Sequence, residues 1–282
     1  MKDFLLLNGN RFTSRLLHCF GMPTYGVRES ELAVNLIKQS ETNFITIYTH
    51  GDYKSYREIG EFPLGYAGVK FKDIRDKIDL SKYTFLLNTN NAESSDEAID
   101  KVHTTTEIIG SRYVKLEVLN REKTKPINNE VLKAAKQLVQ DDFTVMPIID
   151  RFDVSIAQEL EAIGCACIRV LLSDIGSLGG LTNPEFFKRL CESVSIPVIA
   201  EGGLNSPEDA YNAMLLGADG VLVNKAIFEY KDPLQFISAL KCSISAGREA
   251  YLCGLTRKAK NNQPHIPQSL YISQPRPVLV ET

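Results

Sequence analysis

The chain has 282 residues, of which 44% are hydrophobic and 24% are charged, and its formal net charge is −3 at pH 7. This length can enclose one large hydrophobic core or two smaller ones. The slight acidity argues against a general nucleic-acid-binding protein, which needs a basic face, and no apolar run is long enough to cross a membrane. We therefore expect neither nucleic acid nor a membrane among its partners.

The cysteines and histidines show no metal-binding pattern. Four histidines are scattered along the chain, and six cysteines lie mostly in apolar runs, at positions 19, 165, 167, 191, 242 and 253. A disulfide framework is typical of smaller secreted chains, and the first residues lack the cleavage site of a secretory signal. The composition predicts a cytoplasmic protein with reduced thiols, no bound metal and no cofactor.

Eight short apolar runs alternate with helix-like segments. The predicted strands are 14–19, 44–48, 84–88, 113–118, 144–149, 166–171, 197–200 and 220–223. The predicted helices lie near 29–39, 56–78, 95–109, 129–140, 153–163, 183–194, 207–216 and 233–249. Continuously hydrophobic strands are typical of a parallel sheet covered on both faces, and eight such units fit a barrel. We predict an α/β fold, a single (β/α)8 TIM barrel over 1–255 with a polar, partly extended tail over 256–282. A doubly wound open sheet is the alternative.

Lys115 and Glu117 stand two residues apart in the fourth predicted strand, and Glu201 ends the seventh. Residues i and i+2 of a strand share one face, and the strands of a closed barrel direct such side chains into one cavity. Alone, a Lys-x-Glu pair is more often a structural ion pair. A lysine in a desolvated cavity is expected to have a lowered pKa and to attack a ketone or aldehyde as the neutral amine. Lys115, Glu117 and Glu201 are therefore the candidate catalytic residues.

Three loops that follow the last predicted strands are rich in glycine. Glycine lets the backbone approach a phosphate closely, and phosphate sites in barrels commonly use the last loops. Each loop taken singly fits a tight turn, whereas three in succession favour a phosphate site. The side chain of Lys225 either contacts the phosphate or points into solvent. The candidate phosphate-binding residues are Gly176, Ser177, Gly202, Gly203, Asn224 and Lys225.

Several of these stretches resemble the thiazole synthase family of thiamin biosynthesis, whose members are (β/α)8 barrels. The similarity extends from about residue 88 to residue 254. It is carried by Val114-Lys115-Leu116-Glu117, Leu160-Glu161-x-x-Gly164-Cys165-Ala166, Ile175-Gly176-Ser177-x-x-Gly180-Leu181, Ile196-Pro197-Val198-Ile199 and the run from Gly217 to Ile227.

The resemblance implies a role for each matching residue. Lys115 would form an imine, a Schiff base, with 1-deoxy-D-xylulose 5-phosphate. Glu117 matches a family acid/base carboxylate, and Glu201 occupies the position of a family aspartate. The positions that match substrate-phosphate residues are Gly176, Gly203, Asn224 and Lys225, with Gly202 in place of an alanine. The resemblance also implies a ubiquitin-like sulfur-carrier protein with a C-terminal thiocarboxylate as partner, dehydroglycine as co-substrate, and a homo-oligomer.

The chain departs from the family pattern around the first three strands. Cys19-Phe20-Gly21-Met22 replaces a Gly-Thr-Gly-Lys turn, and Thr49-His50 stands where a basic pair is expected. Residues 87–91 lack the proline and glycine of a Pro-Asn-Thr-Ser-Gly run, and 52–79 resembles an insertion or a rebuilt second helix. Two alternatives therefore stay open. One is a paralogue that inserts sulfur into another ketose phosphate, as in 2-thiosugar formation, and the other is a non-catalytic sugar-phosphate-binding barrel.

Overall fold

The computed structural model describes residues 3–22, 25–49, 53–65, 68–150 and 153–254. The strands in these ranges are β1 (Leu5–Leu7), β2 (Asn10–Phe12), β3 (Leu16–His18), β4 (Gly21–Met22), β5 (Tyr25–Gly26), β6 (Phe44–Tyr48), β7 (Thr84–Asn88), β8 (Tyr113–Leu116), β9 (Thr144–Ile149), β10 (Ile168–Leu171), β11 (Val198–Glu201) and β12 (Gly220–Val223). The α-helices are α1 (Ser30–Ser40), α2 (Ser95–Ile109), α3 (Asn128–Gln140), α4 (Val154–Ala162), α5 (Pro184–Ser193), α6 (Pro207–Leu215) and α7 (Pro233–Cys253).

Eight parallel strands form one sheet that nearly closes into a barrel. Their order is β3-β12-β11-β10-β9-β8-β7-β6, so neighbours in the sheet follow the chain. Side-chain contacts join the two end strands: the Ser14 backbone N–H donates to Asn43 Oδ1 over 2.9 Å, and Cys19 Sγ lies 3.8 Å from Thr46 Oγ1. The predicted (β/α)8 barrel is confirmed, and the open-sheet alternative is wrong.

Local capping explains where several helices begin. The side chains of Ser94, Asp153, Asn183 and Asp232 each accept a hydrogen bond from a backbone N–H in the first turn of the helix that follows. Ser206 does the same for α6 and forms a reciprocal capping box with the residue at the third helical position. Such caps satisfy N–H groups that have no partner within the helix.

The helix predicted near 56–78 is absent from the described part of that segment, which contains short 3-10 turns at Ile59–Glu61 and Phe71–Asp73. The chain instead folds back on itself, because Leu64 N–H donates to Val69 O and Phe71 N–H donates to Phe62 O. Proline and several glycines interrupt the segment, and both residue types disfavour a helix interior. The expected second barrel helix is therefore replaced by an irregular covering.

A hairpin of β1 and β2 covers the N-terminal end of the barrel. Its Asn8-Gly9 turn has positive φ angles of 48° and 76°, the conformation that favours an Asn-Gly pair. The ring of Phe12 packs against that of Phe44 at an interplanar angle of 40°, and Asn10 Nδ2 donates to the hydroxyl of Tyr113 over 2.8 Å. Side chains thus fill this end of the barrel, and the cavity described below opens at the opposite, C-terminal end.

Three sequence-based predictions fall on parts of the chain outside the described residues. These are the polar tail over 256–282, the end of the predicted 1–255 domain, and His50 in the Thr49-His50 pair. None of the helices within the described ranges combines the length and the apolar character needed to span a bilayer.

Candidate active site

A cavity of about 100 Å³ opens at the C-terminal ends of the barrel strands. Alternate residues of each strand point into the barrel, where an apolar cluster that includes Leu17, Phe44 and Met146 fills the interior. Lys115 and Glu201 line the cavity, as do Cys19, Tyr48 and Asn88 from the ends of β3, β6 and β7. The site thus forms where parallel strands end, as expected for a barrel.

Lys115 lies between two carboxylates. Its side chain is only 3% exposed, and Nζ donates a hydrogen bond to Glu117 Oε1 and lies 3.2 Å from Glu201 Oε1. Strand β8 ends at Leu116, one residue before Glu117, so the predicted strand was two residues too long. The predicted grouping of Lys115, Glu117 and Glu201 around one cavity is nevertheless what the structure contains.

The charge of Lys115 differs from the sequence-based expectation. Burial alone would lower its pKa, but the facing carboxylates of Glu117 and Glu201 outweigh burial and raise the pKa above its ordinary value of 10.5. A raised pKa favours the ammonium form of Lys115 at neutral pH, so the expectation of a lowered pKa is wrong. Burial also opposes ionisation of Glu117, yet Lys115 and Arg169 hold the pKa of Glu117 below its ordinary 4.5.

Arg169 is the fourth charged group of the cluster, and the sequence analysis missed it. It lies in β10 with no exposed surface, and Nη1 donates to Glu201 Oε2 over 2.6 Å and to Glu117 Oε1 over 3.4 Å. Nε and Nη2 donate to the backbone oxygens of Met146 and Leu116 over 2.8 and 2.7 Å. Burial opposes the positive charge of Arg169, but the negative carboxylates of Glu201 and Glu117 stabilise that charge and raise the pKa of Arg169. Two positive and two negative groups thus neutralise one another.

Two adjacent glycines, Gly202 and Gly203, follow Glu201 on the cavity wall. Their φ angles are 68° and 67°, and a Cβ atom at either position would overlap a side chain, Leu171 at Gly202 and Ser173 at Gly203. Their backbone N–H groups donate to no acceptor among the described residues. Only glycine fits this close approach, and it leaves two donors available to an anion.

The other predicted phosphate-binding residues occupy different positions. Gly176, Asn224 and Lys225 line the cavity beside the two glycines. Lys225 Nζ donates to Gly176 O over 3.0 Å, and Asn224 Oδ1 accepts from the Gly21 N–H over 2.9 Å, so both side chains tie neighbouring loops together. Ser177 does not line the cavity. Its hydroxyl lies 3.1 Å from that of Ser173 and accepts from the Gly179 N–H, so it stabilises its own loop.

No group of three or more His, Cys, Asp or Glu side chains within the described ranges could hold a metal ion. The cavity cysteine, Cys19, is buried, and burial raises the pKa of its thiol. A buried neutral thiol is a poor nucleophile. The ionisable side chains that line the cavity include the amines of Lys115, Lys123 and Lys225 and the carboxylates of Glu117 and Glu201, and the guanidinium of Arg169 contacts both carboxylates.

Comparisons with known proteins identify the family of the chain. The family model described as "Thiazole biosynthesis protein ThiG" matches residues 6–267. The thiazole synthase of Citrifermentans bemidjiense is 37% identical over 277 residues, which cover 98% of this chain and 96% of that protein. The thiazole synthase of Aquifex aeolicus is 35% identical over 267 residues, with coverages of 94% and 93%.

Two solved structures share the fold. The Amycolatopsis orientalis BexX/CysO complex matches with a TM-score of 0.79 and 26% identity, covering 92% of this chain and 100% of that one. Thiamine phosphate pyrophosphorylase from Pyrococcus furiosus matches with a TM-score of 0.53 and 17% identity, covering 82% and 96%, and shows the fold alone. Since the family model and the curated relatives extend over nearly the whole chain, the protein belongs to the ThiG family of thiazole biosynthesis proteins.

Proposed function

We propose that the protein is a thiazole synthase in which Lys115 forms an imine with the ketone of 1-deoxy-D-xylulose 5-phosphate. The observation that carries the proposal is the buried amine of Lys115 between the carboxylates of Glu117 and Glu201. An amine with a proton acceptor and a proton donor in hydrogen-bond reach is what imine formation needs. Membership of the thiazole biosynthesis family supports the class of product.

The first step moves a proton within the charged cluster. Lys115 rests as an ammonium ion, so it passes a proton to Glu117 before its nitrogen attacks the carbonyl carbon. The resulting carbinolamine then loses its hydroxyl group as water, with the proton supplied by Glu117. In sum, an ammonium ion and a ketone give an iminium ion and water, and Glu117 returns to its carboxylate form.

Glu201 then faces the iminium ion, and Arg169, whose Nη1 lies 2.6 Å from Glu201 Oε2, balances the negative charge of Glu201. The iminium nitrogen withdraws electrons from the neighbouring carbon, so a carboxylate in reach can remove a proton from that carbon. The electron pair left behind forms an enamine, and the reverse transfer returns the proton. In this proposal Glu117 exchanges protons with the Lys115 nitrogen and the substrate oxygen, and Glu201 exchanges a proton with the substrate carbon.

The phosphate of the substrate binds in the loops that follow β10, β11 and β12. Gly202, Gly203 and Lys225 line the cavity at this side, and Lys225 Nζ is held there by its hydrogen bond to Gly176 O. Gly176 and Asn224 complete the wall. Oriented N–H groups beside a lysine suit a phosphate ester. Ser177 is left out of this role because its hydroxyl is committed to its own loop.

The sulfur donor in this proposal is a ubiquitin-like carrier protein that ends in a thiocarboxylate, and dehydroglycine is the third component. The similar Amycolatopsis orientalis structure is a complex of two proteins, which supports a protein partner for this barrel. The C-terminal mouth is the side on which such a partner would reach Lys115, because the hairpin of β1 and β2 covers the other end.

Reconstitution tests the proposal. Purified protein given 1-deoxy-D-xylulose 5-phosphate, thiocarboxylated carrier and dehydroglycine is expected to release a thiazole phosphate, detected by mass spectrometry. Lys115→Arg, which keeps the charge but not a reactive amine, should release none. Omission of the thiocarboxylate is the matched control for sulfur. Absence of product with the complete mixture contradicts the proposal.

A second candidate function is sulfur insertion into another ketose phosphate. It is favoured by the cavity wall built from Cys19, Tyr48 and Asn88, which belongs to the strands where the sequence departs from the family pattern. A panel of ketose phosphates, trapped with borohydride and ranked by the rate of Lys115 labelling, separates the two functions. If no ketose phosphate labels Lys115 and Lys115→Ala keeps full biological activity, the protein is a non-catalytic sugar-phosphate-binding barrel.

A further inference from the structure

The side-chain amide of Asn88 has no hydrogen-bond partner for its oxygen. Asn88 is the last residue of β7 and is only 2% exposed, and no group among the described residues donates to Oδ1. Buried polar atoms in native proteins nearly always have a partner, because an unpaired buried oxygen destabilises the folded state. An unpaired amide in a cavity wall therefore indicates a partner that arrives with the ligand.

The loop around Asn88 is already held by other groups. The backbone oxygen of Asn88 accepts from the Thr49 hydroxyl over 2.6 Å, and Asn90 Oδ1 accepts from the Thr49 N–H over 3.2 Å. Lys101 Nζ donates to Asn90 O over 2.7 Å and anchors the loop from α2. The side-chain oxygen of Asn90 thus holds the loop through Thr49, whereas the side-chain oxygen of Asn88 makes no hydrogen bond that holds the loop.

The position of Asn88 relative to Lys115 limits what it can contact. The two residues are direct register partners on the neighbouring strands β7 and β8, and both line the same cavity. Neighbouring strands lie about 4.8 Å apart, and both side chains enter the same cavity, so a substrate bonded to Lys115 shares that cavity with the amide of Asn88. The phosphate loops lie on the other side of the cavity, after β10, β11 and β12.

We propose that the amide of Asn88 binds the hydroxyl group on the carbon next to the carbonyl that Lys115 attacks. A hydroxyl fits because it donates to Oδ1 and can also accept from Nδ2, whereas a methyl group does neither. Asn88 is then a specificity-determining residue that selects α-hydroxyketone phosphates over simple ketone phosphates. This inference rests on the proposed function, in which Lys115 forms the imine.

The test compares two substrates with two variants. The probes are 1-deoxy-D-xylulose 5-phosphate and its analogue without the hydroxyl on the carbon beside the ketone, each trapped on Lys115 with borohydride at subsaturating concentration. The quantity measured is the trapping rate of the substrate that carries the hydroxyl divided by the trapping rate of the analogue that lacks it. In Asn88→Leu, which keeps the side-chain shape, this ratio should fall about 5- to 140-fold, the value of one buried hydrogen bond.

A matched control separates recognition from structural damage. Asn90→Leu removes a partnered amide in the same loop, so it should slow both substrates equally and leave their ratio as in the unaltered protein. Asn88→Leu should unfold at the same temperature as the unaltered protein or a higher one without ligand, because its amide oxygen has no partner to lose. Asn88→Ala gives the same ratio test if leucine does not fit.

Each other outcome has a distinct meaning. If Asn88→Leu and Asn88→Ala keep the ratio of the unaltered protein, Asn88 binds only an ordered water and the inference is overturned. If Asn88→Leu lowers the unfolding temperature and slows both substrates alike, the amide is structural and the inference is again overturned. If neither substrate labels Lys115 in the unaltered protein, the proposed imine chemistry itself fails.

Discussion

Replacing Arg169 with methionine removes one buried positive charge from a cluster that is otherwise balanced. In the native site its guanidinium contacts Glu201 and, at longer distance, Glu117, and it also donates to the backbone oxygens of Met146 and Leu116. Methionine fills much of the volume but donates no hydrogen bond. The variant therefore leaves two buried carboxylates facing one ammonium ion.

The size of the effect follows from burial. Removing one partner of a fully buried ion pair typically lowers the free energy of unfolding by about 3–5 kcal/mol, because the remaining charge stays without compensation. Arg169 has no exposed surface, and its Nη1 lies 2.6 Å from Glu201 Oε2. Solvent therefore does not weaken this ion pair. For a domain of this size the midpoint of thermal unfolding should fall by about 6–20 °C.

The pH dependence identifies the cause. Lys115 and Arg169 lower the folded-state pKa of Glu117, so this carboxylate stabilises the fold above its ordinary pKa of 4.5 and ceases to do so as the pH falls through the folded value. Without Arg169 the folded pKa of Glu117 moves back up towards 4.5. The stability difference between native protein and Arg169→Met should therefore be largest near neutral pH and narrow below about pH 4.5.

Urea unfolding at about pH 7 and about pH 4 measures both quantities. Arg169→Lys is the matched control, since it keeps the charge and should lose less stability than Arg169→Met while retaining more of the pH dependence. A loss below about 1 kcal/mol in Arg169→Met, or a loss that does not change with pH, would show that packing rather than charge explains the position.

The remaining predictions concern the proton path and the phosphate loops. Because Lys115 and Glu117 exchange one proton between them, the rate of imine formation should be constant from about pH 6 to about pH 9, and a strong slope there in borohydride trapping would contradict the internal transfer. Glu117→Gln cannot take that proton, so its rate should be about 100- to 10,000-fold lower and should rise with pH. Gly203→Ala would force a methyl group into Ser173, whereas Gly176→Ala meets open space and causes only backbone strain of about 1–2 kcal/mol. Thermal unfolding should therefore show a larger loss of stability for Gly203→Ala than for Gly176→Ala. Equal losses of stability would contradict the close approach of Gly203 to Ser173.

Regular repeats of apolar residues made most of the barrel predictable. The strands 44–48, 84–88, 144–149 and 220–223 and the helix 95–109 coincide with the observed elements at both ends. In each, a continuous apolar run or a helical period is bounded by turn or capping residues. The segment 56–78 was predicted wrongly because its apolar residues gave an apparent helical pattern, although proline and glycine interrupt it.

Two features of the fold and site carried signals that were overlooked. The Asn8-Gly9 pair between apolar residues is a strong signal for a two-residue turn, and it predicts the hairpin of β1 and β2. Arg169 stands within the apolar run of β10, two residues after the inward-facing Cys167, which indicates that its guanidinium points into the barrel. An arginine in such a strand needs anionic partners, and the candidate carboxylates were already known.

The charge of Lys115 could not be predicted from sequence spacing. Burial lowers the pKa of an amine and neighbouring carboxylates raise it, so the outcome depends on distances between Lys115, Glu117 and Glu201 that only the folded barrel provides. The role of Ser177 was equally hidden, because a loop hydroxyl can face either the cavity or its own loop. The residue types of the candidate site were predictable from the sequence, and the direction of the Lys115 pKa shift was not.

Trapping of Lys115 tests the central claim most directly. Borohydride added to the protein with 1-deoxy-D-xylulose 5-phosphate should reduce the imine to a stable secondary amine, and peptide mass spectrometry should find the sugar phosphate on Lys115. Lys115→Arg should acquire no adduct under the same conditions. An adduct on another lysine, or no adduct with any ketose phosphate of the panel, would contradict imine formation by Lys115.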